Sequence, residues 1–328
     1  MQSNNSPEIS VICLCYNNGR FVIDTLESIK RQTFSNFELI ICDDRSKDNS
    51  VPLIESWLEI NQADFVSVKF LKNPVNMGIA KTLNRALELT HGKYFSIIGD
   101  DEWYPAYLQS LYEIIVNSED SVALVFSDTY VINYETKEIL PDINPLRHIS
   151  QSYSEPNQLV SPLEKDIYRF NAGYLYECFF KFSPVIAFTT LIKTNIVKKL
   201  GGYDEKYSFE DLPMWLKMFK QYSCIFLDKK LATYNRHPQS ITSVASFNYH
   251  RSILDVFAEQ IRAKKTSKND MFVKRKIFQE YKTVAKVWVQ SPGKKKKDLL
   301  DVFLMVSALY PLSIPKAFKT LLRTIVKY

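Results

Sequence analysis

The chain has 328 residues, 46% hydrophobic and 13% aromatic, enough to bury a sizeable core, with a formal net charge of +6. Its composition excludes a disordered chain, and five cysteines at 13, 15, 42, 178 and 224, without paired spacing, read as reduced core thiols rather than a disulfide framework or zinc site. Residues 1–259 carry 25 Lys+Arg against 32 Asp+Glu, a net of −7, while 260–328 carry 17 against 4, a net of +13, so an acidic body precedes a basic tail suited to a polyanionic partner. The four histidines are scattered, which argues against a His-based metal site. The opening MQSNNSPE is polar and lacks the basic and apolar regions of a secretory signal, so a cytosolic location is expected.

Ile9 to Tyr16 predicts a buried strand, and Asn17-Asn18-Gly19 a turn into a helix over Phe21 to Ile29. Phe37 to Cys42 predicts a second strand ending at Asp43-Asp44, with Asp48 as N-cap of the next helix. Phe65 to Leu71 reads as a third strand, then a loop at 73–78 and a helix from Ile79 to Leu89. The fourth strand, Tyr94 to Ile98, runs into Asp100 and Asp101, and Val122 to Phe126 makes a fifth. Such alternation calls for an α/β fold with a mostly parallel sheet. Neither a Gly-x-Gly-x-x-Gly turn nor a Walker loop is present, which disfavours dinucleotide-binding and P-loop folds.

Carboxylates at a strand's C-terminal end sit where open α/β sheets bind ligands, and two hard oxygen donors suit a divalent cation against phosphates. The plainer reading is a turn that caps the following helix. Residues 134–162, with prolines at 141, 145, 156 and 162, read as a long excursion or lid. The aromatic stretch Phe170 to Thr190 reads as core, or as a wall for a ring or lipid acceptor. Gly201-Gly202 closes a helix, and Glu210-Asp211 opens another whose Leu212, Trp215, Leu216 and Phe219 share a face. Asp211 stands where an N-cap would, a role worth only ~1 kcal/mol. Two short strands, Cys224 to Leu227 and Leu231 to Tyr234, flank 228–230.

Four features follow in order: SVICLCYNN with QTFSNFELIICDDRSKDNS, NPVNMGIAKTLNRAL, GKYFSIIGDDEWYPAYL and GGYDEKYSFEDLPMWLKM. Together they resemble the family-2 glycosyltransferases, inverting enzymes of the GT-A fold, over roughly residues 8–245. The resemblance implies a Rossmann-like, mostly parallel sheet flanked by helices in a domain 1–245, with a nucleotide-sugar half near 8–130 and an acceptor half near 131–245. A basic helical extension, 246–328, lies outside it.

The resemblance also implies roles. Tyr16 and Asp44 contact the nucleobase of a donor, expected to be a UDP-sugar, with Asp43 beside them; Asn76, Gly78 and Lys81 lie near the nucleotide, Lys81 offsetting phosphate charge. Aligned on Trp103, the family's Asp-x-Asp motif falls on Ile98-Gly99-Asp100-Asp101, so its first acid is missing. Asp100 then approaches the donor ribose and, with Asp101, holds Mn²⁺ or Mg²⁺. Asp211 matches the catalytic base, Glu210 and Trp215 stand on the acceptor side, and Arg236-His237 falls near the diphosphate. A base on the acceptor hydroxyl and a cation on the leaving diphosphate give one inverting displacement. For Glu210 and Arg236-His237 the alternative is surface salt bridging.

Gln260 to Lys297 holds thirteen Lys or Arg against two acidic residues, and the apolar run Val302 to Leu312 after it is broken by Pro311. That run is shorter than the ~20 residues of a spanning helix, so the tail reads as lying on an anionic membrane or as a helical hairpin packed on the domain. The sequence therefore reads as a glycosyltransferase using a glycan or lipid-linked acceptor in bacterial surface polysaccharide synthesis, peripheral on the inner face of the cytoplasmic membrane. The alternative is a non-catalytic nucleotide- or glycan-binding protein of the same fold. Nucleic acid is not an expected partner, since the tail shows no stacking module.

Overall fold

The computed structural model describes residues 6–142, 144, 146, 160–240, 246–263, 270–290 and 296–309. Ten strands, among the described residues, form one mixed sheet: β1 (Ile9–Cys15), β2 (Phe37–Asp43), β3 (Val68–Lys72), β4 (Tyr94–Ile98), β5 (Glu102–Trp103), β6 (Val122–Asn133), β7 (Val160–Glu164), β8 (Ile167–Phe170), β9 (Thr190–Lys193) and β10 (Ser223–Arg236). Their order is β3-β2-β1-β4-β9-β6-β10-β8-β7, with β5 beside β10. β3, β2, β1 and β4 run parallel, as do β6 and β10, while β9 is antiparallel to both neighbours.

Successive side chains on a strand point to opposite faces, and both faces of β1 and β2 are covered. Ile9, Val11 and Cys13 of β1 join Leu39 and Ile41 of β2 in one core; Ile12, Ile40 and Cys42 join the other. Helices α1 (Val22–Lys30), α2 (Ser50–Asn61) and α4 (Tyr107–Ile115) bury Leu26, Ile54 and Leu111 in the first core. Helices α3 (Ile79–Glu88), α5 (Tyr174–Cys178), α6 (Thr194–Lys199) and α7 (Asp211–Met218) cover the other face.

The same second core admits the C-terminal helices α8 (Phe247–Arg262), α9 (Asp270–Gln290) and α10 (Lys296–Leu309) through Leu254, Phe257, Ile277, Tyr281, Val302 and Val306. They form part of the folded body, as the packed-hairpin reading of the tail expects. None of the described helices is long and apolar enough to cross a membrane.

Several elements differ from expectation for identifiable reasons. β3 begins at Val68 rather than Phe65, because residues 62–64 form a 3₁₀ turn and the Phe65 ring packs on Phe37 and Trp57. Asn49, not Asp48, flanks α2, yet Asp48 Oδ1 still accepts from Ser50 N at 3.0 Å and so serves the helix start. The two short strands near 224–234 are one strand, β10, whose register against β6 slips at Lys230. The ladder skips Asp228 and Lys229 there and shifts register again between Lys230 and Ala232 and between Ser223 and Cys224, as bulged strands do. Asp211 is the first residue of α7 and Glu210 flanks it, so Asp211 does not hold the N-cap position. The aromatic stretch is mostly core, with Phe170, Phe179, Phe180 and Val185 buried. Most of the 134–162 excursion and all of the tail past 309 lie outside the described residues.

Candidate active site

The turns after β1 and β2 are stitched together. Asn17, at φ +54°, donates its N–H to Ser46 Oγ at 2.8 Å and accepts at Oδ1 from Lys47 N at 2.8 Å, and Gly19 N donates to Asp48 Oδ2 at 2.9 Å. A Cβ at Gly19 would meet the Asn49 side-chain oxygen, so any larger residue there requires that side chain to move. Tyr16 is left 45% exposed at the rim of the cleft formed by these turns.

Asp44 closes one end of that cleft. Its Oδ1 accepts from Met77 N at 2.7 Å and Asn73 Nδ2 at 2.8 Å, and its Oδ2 from Gly78 N at 2.9 Å. Gly78 sits at φ +81°, in the left-handed region glycine occupies at little cost, and so presents its N–H to the carboxylate at the start of α3. Arg85 donates to Asn73 Oδ1, so Asn73 orients Asp44 from behind. Asn73→Ala is expected to weaken donor binding about tenfold with kcat little changed, measured as a donor Kd by calorimetry, because Asp44 and Arg85 both lose a buried partner.

The second cluster forms where β4 ends. β5 pairs antiparallel with Ala232 and Thr233, which draws the acidic turn to the end of β10. Asp101, 5% exposed, accepts from Asn235 N at Oδ1 (2.9 Å), and its carbonyl accepts from Thr25 Oγ1 (2.9 Å). Asn235 Nδ2 donates to the carbonyl of Asp100 at 3.0 Å. Asp100 Oδ2 lies 2.7 Å from Nε2 of the buried His237, whose ring packs 4.2 Å from Phe21. His237 Nδ1 is buried without a hydrogen-bond partner, and burial followed by the Asp100 charge pushes the Asp101 carboxyl up. Two adjacent carboxylates and an imidazole, with excess negative charge in a desolvated site, fit a divalent cation completed by substrate phosphates. Among the described residues no three such side chains are arranged to hold a metal unaided.

Glu210 and Asp211 face these groups from the start of α7. Burial, then the charge of Asp211, pushes the Glu210 carboxyl up to about 8, and burial raises Asp211. Asp211 Oδ1 accepts from Leu212 N at 2.6 Å. Folded Glu210 keeps a proton that the unfolded chain loses near pH 4.3, so its contribution to stability is present below that pH and lost as pH rises through about 8. Glu210→Gln is therefore expected to gain melting temperature over wild type by more at pH 8 than at pH 5, read by calorimetry.

One cleft of about 930 Å³ joins these groups and is lined by Tyr16, Asp44, Asn76, Gly78, Asp100, Asp101, Glu210, Asp211 and His237. Four residues singled out from the sequence are not among its walls. Asp43 is 2% exposed and accepts from Ser46 N, so it holds the turn. Lys81 points to solvent from α3. Trp215, 1% exposed, stacks near Phe219 in the core, so it does not meet an acceptor in the cleft. Arg236 lays its guanidinium over the Tyr234 ring, 5.5 Å from its centroid.

Among the other walls, residues 186–188 fall within the stretch Phe170 to Thr190, whose second reading is a wall, and Tyr249 carries no signal of its own in the sequence. Ile186, Ala187 and Phe188 line the cleft, and Trp103 Nε1 and Tyr107 Oη pin them by donating to the Phe188 carbonyl at 2.8 and 3.1 Å. Tyr249 of α8 also lines it, with its ring 5.3 Å from Phe209. Ser246, which caps α8 by accepting from Tyr249 N, was the available signal for that helix start.

The sequence signature described as Glycosyl transferase family 2 matches residues 10–180. An uncharacterized glycosyltransferase of Rickettsia prowazekii, RP339, is 22% identical over 294 residues, 89% of this chain and 83% of that protein. TuaG of Bacillus subtilis, a putative teichuronic acid biosynthesis glycosyltransferase, is 31% identical over 126 residues, 38% of this chain and 48% of its own length. Among solved structures, Staphylococcus aureus TarS 1–349 with UDP-GlcNAc superposes with a TM-score of 0.61 at 16% identity, covering 97% of this chain and 89% of that one. The mannosyltransferase PcManGT of Pyrobaculum calidifontis, with GDP-Man and Mn²⁺, gives 0.58 at 15%, covering 98% and 87%. These likenesses establish a GT-A-like architecture.

Proposed function

Because the chain belongs to glycosyl transferase family 2 and is a nucleotide-sugar-dependent glycosyltransferase, we propose that it is a divalent-cation-dependent inverting enzyme transferring sugar from a UDP-sugar to a hydroxyl of a glycan or lipid-linked acceptor. The observation that carries the reading is that Asp44, the Asp100–Asp101–His237 cluster and Asp211, from four separate stretches of sequence, line one cleft. Asp44 and Tyr16 flank the seat for a nucleobase, one accepting a ring N–H and the other stacking. Asp100, Asp101 and His237 would hold Mn²⁺ or Mg²⁺, which supplies Lewis-acid stabilisation of a leaving diphosphate. TarS, solved with UDP-GlcNAc, supports the UDP-sugar donor, and PcManGT, solved with GDP-Man and Mn²⁺, supports the cation.

Asp211 takes the proton of the acceptor hydroxyl as it attacks the anomeric carbon on the face opposite the diphosphate, so a single displacement inverts the configuration. Its raised pKa in a buried pair makes the carboxylate a stronger base than an exposed aspartate. Phe188, Phe209 and Tyr249 offer apolar walls beside it for an acceptor ring. The likeness to TuaG supports a place in bacterial surface polysaccharide synthesis, with the enzyme peripheral on the inner face of the cytoplasmic membrane. The test is nucleoside diphosphate release from UDP-, GDP- and dTDP-sugars with Mn²⁺ or Mg²⁺. Release from a UDP-sugar that EDTA abolishes is the expected result. Release from GDP- or dTDP-sugars alone would replace the donor, and release unaffected by EDTA would remove the cation from the reading.

A further inference from the structure

The helical hairpin of α9 and α10 turns one face to the core and another outward. Inward lie Val273, Ile277, Tyr281, Val284 and Trp288 of α9 with Leu299, Val302 and Val306 of α10, all buried. Outward on α9, at spacings of three or four, lie Arg275, Gln279, Lys282, Lys286 and Gln290, an exposed stripe with three cationic positions and no acidic one. The acidic residue of that stretch, Glu280, is turned away from the stripe and pairs with Lys276 at 2.9 Å and His250 at 3.9 Å.

Outward on α10 stand Lys297, Leu300, Asp301, Leu304 and Ala308. Leu300 is 44% and Leu304 55% exposed, one turn apart, where an ordinary solvated face carries polar residues. The sequence flanking α10, at 291–295 and 310–328, adds Lys294, Lys295, Lys316, Lys319, Arg323 and Lys327 and no acidic residue.

We propose that the outer face of the α9–α10 hairpin docks on an anionic lipid bilayer, with Arg275, Lys282 and Lys286 on headgroups and Leu300 and Leu304 entering the interface. Exposed aliphatic side chains on α10, with Asp301 among them, and an acid-free cationic stripe on the adjoining α9 match a surface that is charged outside and apolar beneath. Nucleic acid would instead call for aromatic stacking platforms, and the outward stripes of α9 and α10 hold none. The inference deepens the membrane-face part of the proposed function and is independent of the catalytic assignments, since none of these residues lines the cleft.

The test is flotation of the full chain with vesicles of phosphatidylcholine alone or with 30 mol% phosphatidylglycerol, a composition of about one anionic lipid in three. Wild type is expected to bind the anionic vesicles, more weakly as salt rises. At about fivefold per cation near the surface, replacing Arg275, Lys282 and Lys286 together by Gln is expected to lower the partition coefficient about a hundredfold. Leu300→Ser with Leu304→Ser is expected to lower it further at high salt, where the charge contribution is screened. All five positions are exposed, and unchanged melting temperatures verify that the variants fold. Wild-type binding matched by both variants would overturn this face while leaving the membrane location standing. No wild-type binding to anionic vesicles would overturn both, and tight binding to an oligonucleotide instead would give the face to nucleic acid. Nucleoside diphosphate release in the same preparations reports separately on catalysis.

Discussion

Asp211→Asn is expected to lower sugar transfer about a thousandfold while leaving donor affinity within about twofold of wild type. General-base catalysis contributes about 10²–10⁴ in rate, and the amide keeps the size and hydrogen-bond acceptor that Leu212 N uses but cannot take a proton. Asp211 opens α7, so a purely structural role as a helix-start acid predicts a different result: a loss of about 0.3–1 kcal/mol in stability, from the charge removed at the helix N-terminus, with activity nearly intact. The two roles also separate by pH. The Asp211 charge is one cause of the raised Glu210 pKa, so the amide lets Glu210 ionise more readily and stabilises the folded state at pH 8 relative to wild type. Transfer kinetics with donor titration by calorimetry, plus melting temperatures at pH 5 and 8, decide between them. Full transfer activity in the variant removes Asp211 from the base role.

Asp101→Asn is expected to abolish cation-supported turnover, by about a thousandfold or more, and to raise the melting temperature of the cation-free protein. The first effect follows because a Lewis acid at the leaving group contributes several kcal/mol and the amide is a far weaker cation ligand. The second follows from charge. Burial and the neighbouring Asp100 push Asp101 up, so stability is present below its ordinary unfolded value and lost as pH rises toward the folded one. Asn keeps an oxygen for Asn235 N and removes that penalty. If Asp101 were only a turn-former, the variant would lose stability and keep its activity. Differential scanning calorimetry in EDTA, beside product release with Mn²⁺, separates the cases.

The strands that carry the cleft were legible because they are buried on both faces. Ile9–Cys15, Phe37–Asp43 and Tyr94–Ile98 are short, mostly apolar runs, broken within only by Ser10, Glu38 and Ser96, that lead into polar turns, and the α/β rule places ligands at such ends. Spacing along the chain could not show which way a helix face turns. Trp215 lies on an apolar stripe of α7, and a stripe reads the same whether it meets a core or a cleft. The pairing of Asp100 with His237, 137 positions apart, depends on β5 crossing to β10, and a two-residue strand leaves no periodicity to detect. Tyr249 was hidden for another reason: an aromatic residue on an amphipathic helix looks like core until the fold turns its ring toward Phe209.

The sharing of one core between the sheet's second face and α8–α10 makes the C-terminal region inseparable from the catalytic body. Phe257 packs 5.3 Å from Phe180, α7 abuts α8, and Tyr249 reaches the cleft from that same helix. Each large apolar side chain bared by truncation forfeits about 1.5–3 kcal/mol, and several such losses consume the whole stability of a typical domain. The boundary at which family likeness fades is therefore not a place where the polypeptide can be cut. Catalysis and the tail would be lost together in one cooperative transition, and a shortened protein would aggregate rather than report a soluble minimal enzyme.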